Sequence, residues 1–120
     1  MHANSSETSQ STTLQYVHWF RHSAPYINAH RNKTFVIMFD GEAVQHENFQ
    51  HIIHDIALLH SLGIHLILVH GARSQINQNL KASGIETPFY KHRRITTRES
   101  LSCVMNAVGS IRLQIEALLS

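Results

Sequence analysis

The sequence predicts an α/β fold in three layers, with a mainly parallel sheet between helices. Two short runs, Thr34–Phe39 (TFVIMF) and Ile64–Val69 (IHLILV), are almost wholly apolar. That is the pattern of strands buried on both faces of a parallel sheet. Between them Phe49, Ile52, Ile53, Ile56, Leu59 and Leu62 recur at three- and four-residue spacing, the mark of an amphipathic helix. Strand, helix and strand in this order describe a βαβ unit with a right-handed crossover.

The elements follow in order. Residues 1–13 (MHANSSETSQSTT) are polar and of low complexity, and read as a disordered leader. Residues 14–32 form an N-terminal helical segment with Leu14, Val17 and Phe20 on one face. Pro25 lies inside it, so the helix is expected to kink or restart there. Its aromatic residues Tyr16, Trp19 and Phe20 either pack on their own domain or serve a subunit contact. After the first strand, Asp40-Gly41-Glu42 reads as a turn, and the central helix is expected over 46–62, stopped by Gly63. A further helix spans Arg73 to Ala82, with Gly84 beyond it. Residues 85–95 are loop-like with some extended character, punctuated by Pro88. The last helix is expected to start at a capping box of Thr96 and Glu99. Leu101, Val104, Met105, Val108, Ile111, Ile115 and Leu118 give it an apolar stripe that is still running at Ser120. The fold is therefore expected to be unfinished at Ser120.

Composition narrows the function. An apolar share of 42% supports a core, and 120 residues suit one small domain. Ten Lys+Arg against eight Asp+Glu leave a formal charge of +2, too weak to indicate nucleic acid as a partner. No apolar run is long enough to span a membrane, and no secretory signal opens the chain. Cys103 is the single cysteine, which excludes an intrachain disulfide framework and points to a reducing cytoplasm.

In open α/β sheets, ligands bind beyond the carboxyl ends of the strands. Two loops hold such positions: Asp40-Gly41-Glu42 and His70-Gly71-Ala72-Arg73. The second leads into a helix whose first amides suit an anion, with Arg73 as a charge-assisted donor; Gly71 equally suits a tight turn alone. His70 closes the second strand at this edge, either as a ligand contact or in a structural hydrogen bond. Arg94, in the basic run Lys91–Arg94, stands just before a helix and either captures a carboxylate or phosphate or is simply solvated.

No metal site is expected. His46 and His51 point about 140° apart around a helix, and His51 with His54 lacks a third ligand. There is no Walker loop, no G-x-S-x-G elbow and no H-E-x-x-H. Cys103 lies beside an apolar stripe, the setting of an inert thiol.

The two strand-end loops resemble those of the amino-acid kinase family. In that family the first strand ends in a lysine and two glycines near nucleotide phosphates. Here Met38 stands where the lysine would be and Asp40 replaces the first glycine, ahead of Gly41. The family's second loop is valine, histidine and three glycines; here it reads Val69-His70-Gly71-Ala72-Arg73, with two glycines lost. Losing the lysine removes a point charge from the transferring phosphate. Side chains at Ala72, Arg73 and Asp40 crowd or repel a phosphate that needs close backbone approach.

The stretch Phe20–Arg31 (FRHSAPYINAHR) further resembles the N-terminal segment of bacterial N-acetylglutamate synthases. The resemblance continues through Lys33–Ala43, His46–Phe49, Leu58–Ile64 and the His70–Arg73 loop. It implies a kinase-like domain without phosphotransfer, expected here only in its N-terminal portion over residues 33–120, and joined in the parent to an acetyltransferase domain that is expected to lie outside this chain. The implied reaction moves acetyl from acetyl-CoA to glutamate in arginine biosynthesis, with acetyl-CoA as co-substrate of the parent enzyme and no cofactor bound by this segment. It also implies a homo-oligomer, in which Tyr16, Trp19 and Phe20 make subunit contacts, and L-arginine as an allosteric effector. Arg94 resembles the kinase arginine that holds the acetylglutamate carboxylate. No catalytic residue of acetyl transfer falls within the chain. Two alternatives stand beside this reading: an acetylglutamate kinase relative, and a free-standing binding or assembly module.

Overall fold

The computed structural model describes the backbone of residues 4–120 and the side chains from residue 8 onward. Nine elements follow one another in it: α1 (Asn4–His30), β1 (Thr34–Phe39), α2 (Gly41–Gln45), α3 (Phe49–Ser61), β2 (His65–His70), α4 (Arg73–Ala82), β3 (Phe89–Tyr90), β4 (Arg93–Arg94) and α5 (Leu101–Leu119). The strands β1 and β2 pair in parallel, in register from Thr34 opposite His65 to Phe39 opposite His70. This is an α/β architecture with a parallel sheet, covering part of a larger fold.

One face of the sheet carries the core. Ile37, Phe39, Leu66 and Leu68 pack against a buried cluster of Val44, Phe49, Ile53, Ile56, Ala72, Ile111 and Ile115. The cluster draws from α2, α3, the start of α4 and α5, so the three- and four-residue spacing of α3 and α5 does the work expected of it. Phe39 and Phe49 meet edge to face, with ring centres 5.3 Å apart.

The other face is bare, unlike the two buried faces expected from the strand sequences. Val36, Met38, Ile67 and Val69 are 64%, 79%, 52% and 42% exposed. The second helical layer of a three-layer sandwich is not among the described residues. A fully apolar strand with one open face is what a parallel strand shows when its outer covering is missing.

Several boundaries differ from the sequence expectation, each for a local reason. Residues 4–13, expected without structure, continue α1 as helix, while residues 1–3 lie outside the described residues. The Thr12 and Thr13 hydroxyls donate to the Thr8 and Ser9 carbonyls at 2.8 and 2.9 Å, the back-bonding that lets hydroxyl side chains sit within a helix. Helix α1 also runs through Pro25 without interruption, although Pro25 has no amide to donate to the Arg21 carbonyl. At 27 residues α1 is about 40 Å long, and it contributes to a molecule measuring 69 × 40 × 27 Å.

The Asp40–Glu42 turn opens the short helix α2. The Asp40 side chain caps it, accepting from the Ala43 amide at 2.9 Å. The expected central helix is thereby split, and α3 begins at Phe49. Gly63, at φ +89°, stops it. The expected Thr96–Glu99 capping box does not form. Thr97 and Ser100 instead exchange bonds, with the Thr97 amide donating to Ser100 Oγ at 2.9 Å and the Ser100 amide to Thr97 Oγ1 at 3.2 Å. Residues 89–94 close into a two-residue hairpin, because Lys91 and His92 both take positive φ, at 46° and 63°. Among the described residues no helix is long and apolar enough to cross a membrane.

Candidate functional site

Parallel pairing puts the carboxyl ends of β1 and β2 side by side, and both loops leave the sheet there. The Gly71 amide donates to the Phe39 carbonyl at 2.9 Å, which ties the second loop to the end of the first strand. A cleft opens above this junction, lined by Asp40, Gly41, Glu42, Arg73, Ser74, Asn77 and Gln78. It is bounded by the start of α2 on one side and the first two turns of α4 on the other.

The glycine at 41 is a spacing requirement. A Cβ there would overlap the Gln75 carboxamide oxygen and stand 3.2 Å from Ala72 Cα. Gln75 Nε2 donates to the Gly41 carbonyl at 2.6 Å. The same carboxamide's Oε1 is buried without a hydrogen-bond partner among the described residues. Gln45 extends the link, accepting from Ser74 Oγ and donating to Gln78 Oε1, both at 3.1 Å. Thus α2 is stitched to α4 by side chains that the apolar pattern does not reveal.

The electrostatics of the cleft are mixed. Arg73 is exposed at the first position of α4, whose amides have no side-chain cap at Ala72. A helix start of this kind favours an anion. The carboxylates of Asp40 and Glu42 line the same space, and Asp40 is already engaged as the cap of α2. A densely anionic ligand such as a triphosphate would meet both carboxylates at close quarters.

The residues singled out in the sequence are placed as follows. Gly41 and Arg73 line the cleft. Ala72 is 8% exposed and belongs to the core cluster, so it supports the floor. His70 is half-buried, and its Nδ1–H donates to the Gly71 carbonyl at 3.2 Å, the structural hydrogen bond open to it from the start. Arg94 is elsewhere: it donates to Thr87 Oγ1 and Asn77 Oδ1, and its guanidinium lies 4.8 Å from the Phe89 ring centre. It faces a second groove, beside Lys81 and Glu86, that shares the Asn77 wall with the strand-end cleft. The structure therefore brings Gly41, Gly71, Ala72 and Arg73 together and sets Arg94 on the far side of Asn77. Tyr16, Trp19 and Phe20 are 70%, 68% and 60% exposed on α1. Asn77 and Gln78 were not foreseen. Their only signal is a run of polar side chains one turn after Arg73, common on any surface helix.

Among the described residues no group of three or more His, Cys, Asp or Glu side chains converges as a metal site would require.

An α/β domain with a cleft at the ends of parallel strands has counterparts among known proteins. A model of the amino acid kinase family matches residues 33–120, and the chain belongs to that family. Within it the resemblance is narrower. The chain is 56% identical over 105 residues to an amino-acid acetyltransferase of Azotobacter vinelandii, covering 88% of this chain and 24% of that protein. It superposes on N-acetylglutamate synthase from Neisseria gonorrhoeae complexed with coenzyme A and N-acetyl-glutamate, with TM-score 0.74 and 34% identity over 87% of this chain and 24% of that one. The same synthase complexed with coenzyme A and L-arginine matches with TM-score 0.71 and 33% identity, over 86% of this chain and 24% of that one. The chain thus spans about a quarter of the length of the relatives it matches.

Proposed function

We propose that this chain is the N-terminal part of the kinase-like domain of an N-acetylglutamate synthase. The parent enzyme transfers acetyl from acetyl-CoA to the α-amine of glutamate, the first step of arginine biosynthesis in the cytoplasm. This segment serves regulation and assembly, and acetyl transfer is carried out elsewhere in the parent.

The observation that carries the reading is the chemistry at the strand ends. Met38, where a phosphotransfer site of this family would carry lysine, is 79% exposed on the outer face of the sheet. Its thioether brings no charge to a phosphate. Asp40 adds a carboxylate to the cleft, and buried Ala72 fills the place of a second glycine. These departures suit a kinase-like scaffold whose loops bind or transmit without transferring phosphate. The relatives' names and ligands support acetyl transfer by the parent and L-arginine as its effector. The exposed aromatic row Tyr16, Trp19 and Phe20 suits a subunit contact.

The assembly role is tested on the polypeptide encoded by the uninterrupted reading frame. Replacing Tyr16, Trp19 and Phe20 together with serine is expected to give smaller species in sedimentation velocity and a weaker response of acetyl transfer to L-arginine. An unchanged sedimentation coefficient with an unchanged arginine response counts against the assigned role.

A further inference from the structure

Helix α5 has two apolar faces, and the chain covers one of them. Cys103, Ala107, Ile111 and Ile115 recur every four residues and are buried. Leu101, Met105 and Leu113 follow the same four-residue interval, with Gly109 completing the row. This second row lies roughly 160° around the helix from the first. All three of its large side chains are exposed. A helix that covers a sheet normally turns polar residues outward, so an outward apolar row marks a contact surface.

Gly109 is a notch in this row. A Cβ at Gly109 would meet nothing within 4 Å, so no contact inside the chain requires a glycine there. A glycine in mid-helix costs stability relative to alanine. Residues four apart form a ridge, and packing such ridges together is the commonest way for two helices to cross. Two α5 helices related by a two-fold axis at the level of Ala107 would set Met105 of each against Gly109 of the other, and Leu101 against Leu113. The row is thus complementary to itself, as a two-fold contact needs. Arg112 and Glu116, beside the row, pair with each other at 2.8 Å. The face therefore carries no net charge to repel its own copy.

We propose that the outward ridge of α5 is a contact between two copies of this chain, in which Met105 enters the Gly109 notch. The inference depends neither on acetyl transfer nor on the aromatic row of α1. A helix of 19 residues is about 28 Å long. One such pair is small beside the roughly 800 Å² per partner of a standard interface, so the expected dimer is reversible and concentration-dependent.

The test is sedimentation velocity of the 120-residue chain over a range of concentrations, with a short bis-maleimide cross-link from Gly109→Cys as the local readout. The wild-type chain is expected to pass from monomer to dimer as concentration rises. Gly109→Leu fills the notch and Met105→Ser removes the side chain that enters it. Each should weaken dimerisation about tenfold or more, the loss of a central anchor. Open space at Gly109 and the exposure of Met105 let both variants keep the fold. Gly109→Cys should link two chains, whereas Gln50→Cys, exposed on α3, should not, and buried Cys103 leaves the wild type unlinked. Replacing Tyr16, Trp19 and Phe20 with serine should leave the Gly109→Cys link in place. A wild-type chain that stays monomeric would overturn the proposal. So would Gly109→Leu and Met105→Ser chains that associate like the wild type, or linking through Gln50→Cys and not through Gly109→Cys.

Discussion

Replacing Ile53 with alanine is expected to remove about 2–5 kcal/mol of stability, the scale of deleting a fully buried branched side chain. Ile53 is 0% exposed and belongs to the cluster that joins α2, α3, α4 and α5 to the inner face of the sheet. The sheet has only two strands in its parallel ladder and one covered face, so few other contacts can absorb the cavity. Ile52 is the built-in control. It is one residue away on the same helix and 47% exposed, so Ile52→Ala is expected to cost no more than about 0.5–1 kcal/mol. Urea denaturation followed by circular dichroism measures both. Equal losses in the two variants would mean that the core does not run through α3 as described.

Gly41→Ala is expected to cost about 1–3 kcal/mol, the usual range for forcing atoms into a packed site. The added methyl overlaps the Gln75 carboxamide, and Ala72 Cα at 3.2 Å leaves it little room to shift. Moving Gln75 aside breaks its bond to the Gly41 carbonyl, which is worth about 1 kcal/mol net. The two terms separate in a double-mutant cycle with Gln75→Ala. If the side chain is the main obstacle, Gly41→Ala costs less in the Gln75→Ala background than in the wild type. If the Ala72 backbone is the obstacle, the cost is the same in both. A fully neutral Gly41→Ala would mean that the cleft floor is not close-packed.

The parts of the fold written in apolar spacing were legible. The two strand runs and the amphipathic residues of α3 come from burial patterns that leave a clear period, and the span Arg73–Ala82 is bounded by Gly84 beyond it. The leader was not, because serine and threonine have no apolar period and are weak helix formers, their hydroxyls turning back onto the carbonyl four residues earlier as Thr12 does to Thr8. Nor was the 89–94 hairpin, whose turn is Lys91-His92 in place of the usual Asn-Gly. The start of α5 lies later than expected: Thr97 and Ser100 exchange bonds in the turn before it, and the helix begins at Leu101 with Ser100 at its N-cap and no side-chain cap.

At the candidate site, the strand-end rule located Gly41 and Arg73 without any structure. It could not show that Arg94 would be held by Thr87 and Asn77 in a separate groove, since that depends on how residues 85–95 fold back on α4. The bare outer face of the sheet was equally hidden. An apolar strand reads the same whether or not its second covering layer is present.

The proposed function places this kinase-family scaffold in an acetyltransferase that does not serve phosphotransfer. The most direct measurement gives the polypeptide of the uninterrupted reading frame two substrate pairs side by side: acetyl-CoA with glutamate, and magnesium-ATP with N-acetylglutamate. Formation of N-acetylglutamate from the first pair, with no phosphorylated product from the second, is the predicted result. ATP-dependent phosphorylation of N-acetylglutamate, with no acetyl transfer to glutamate, would contradict it.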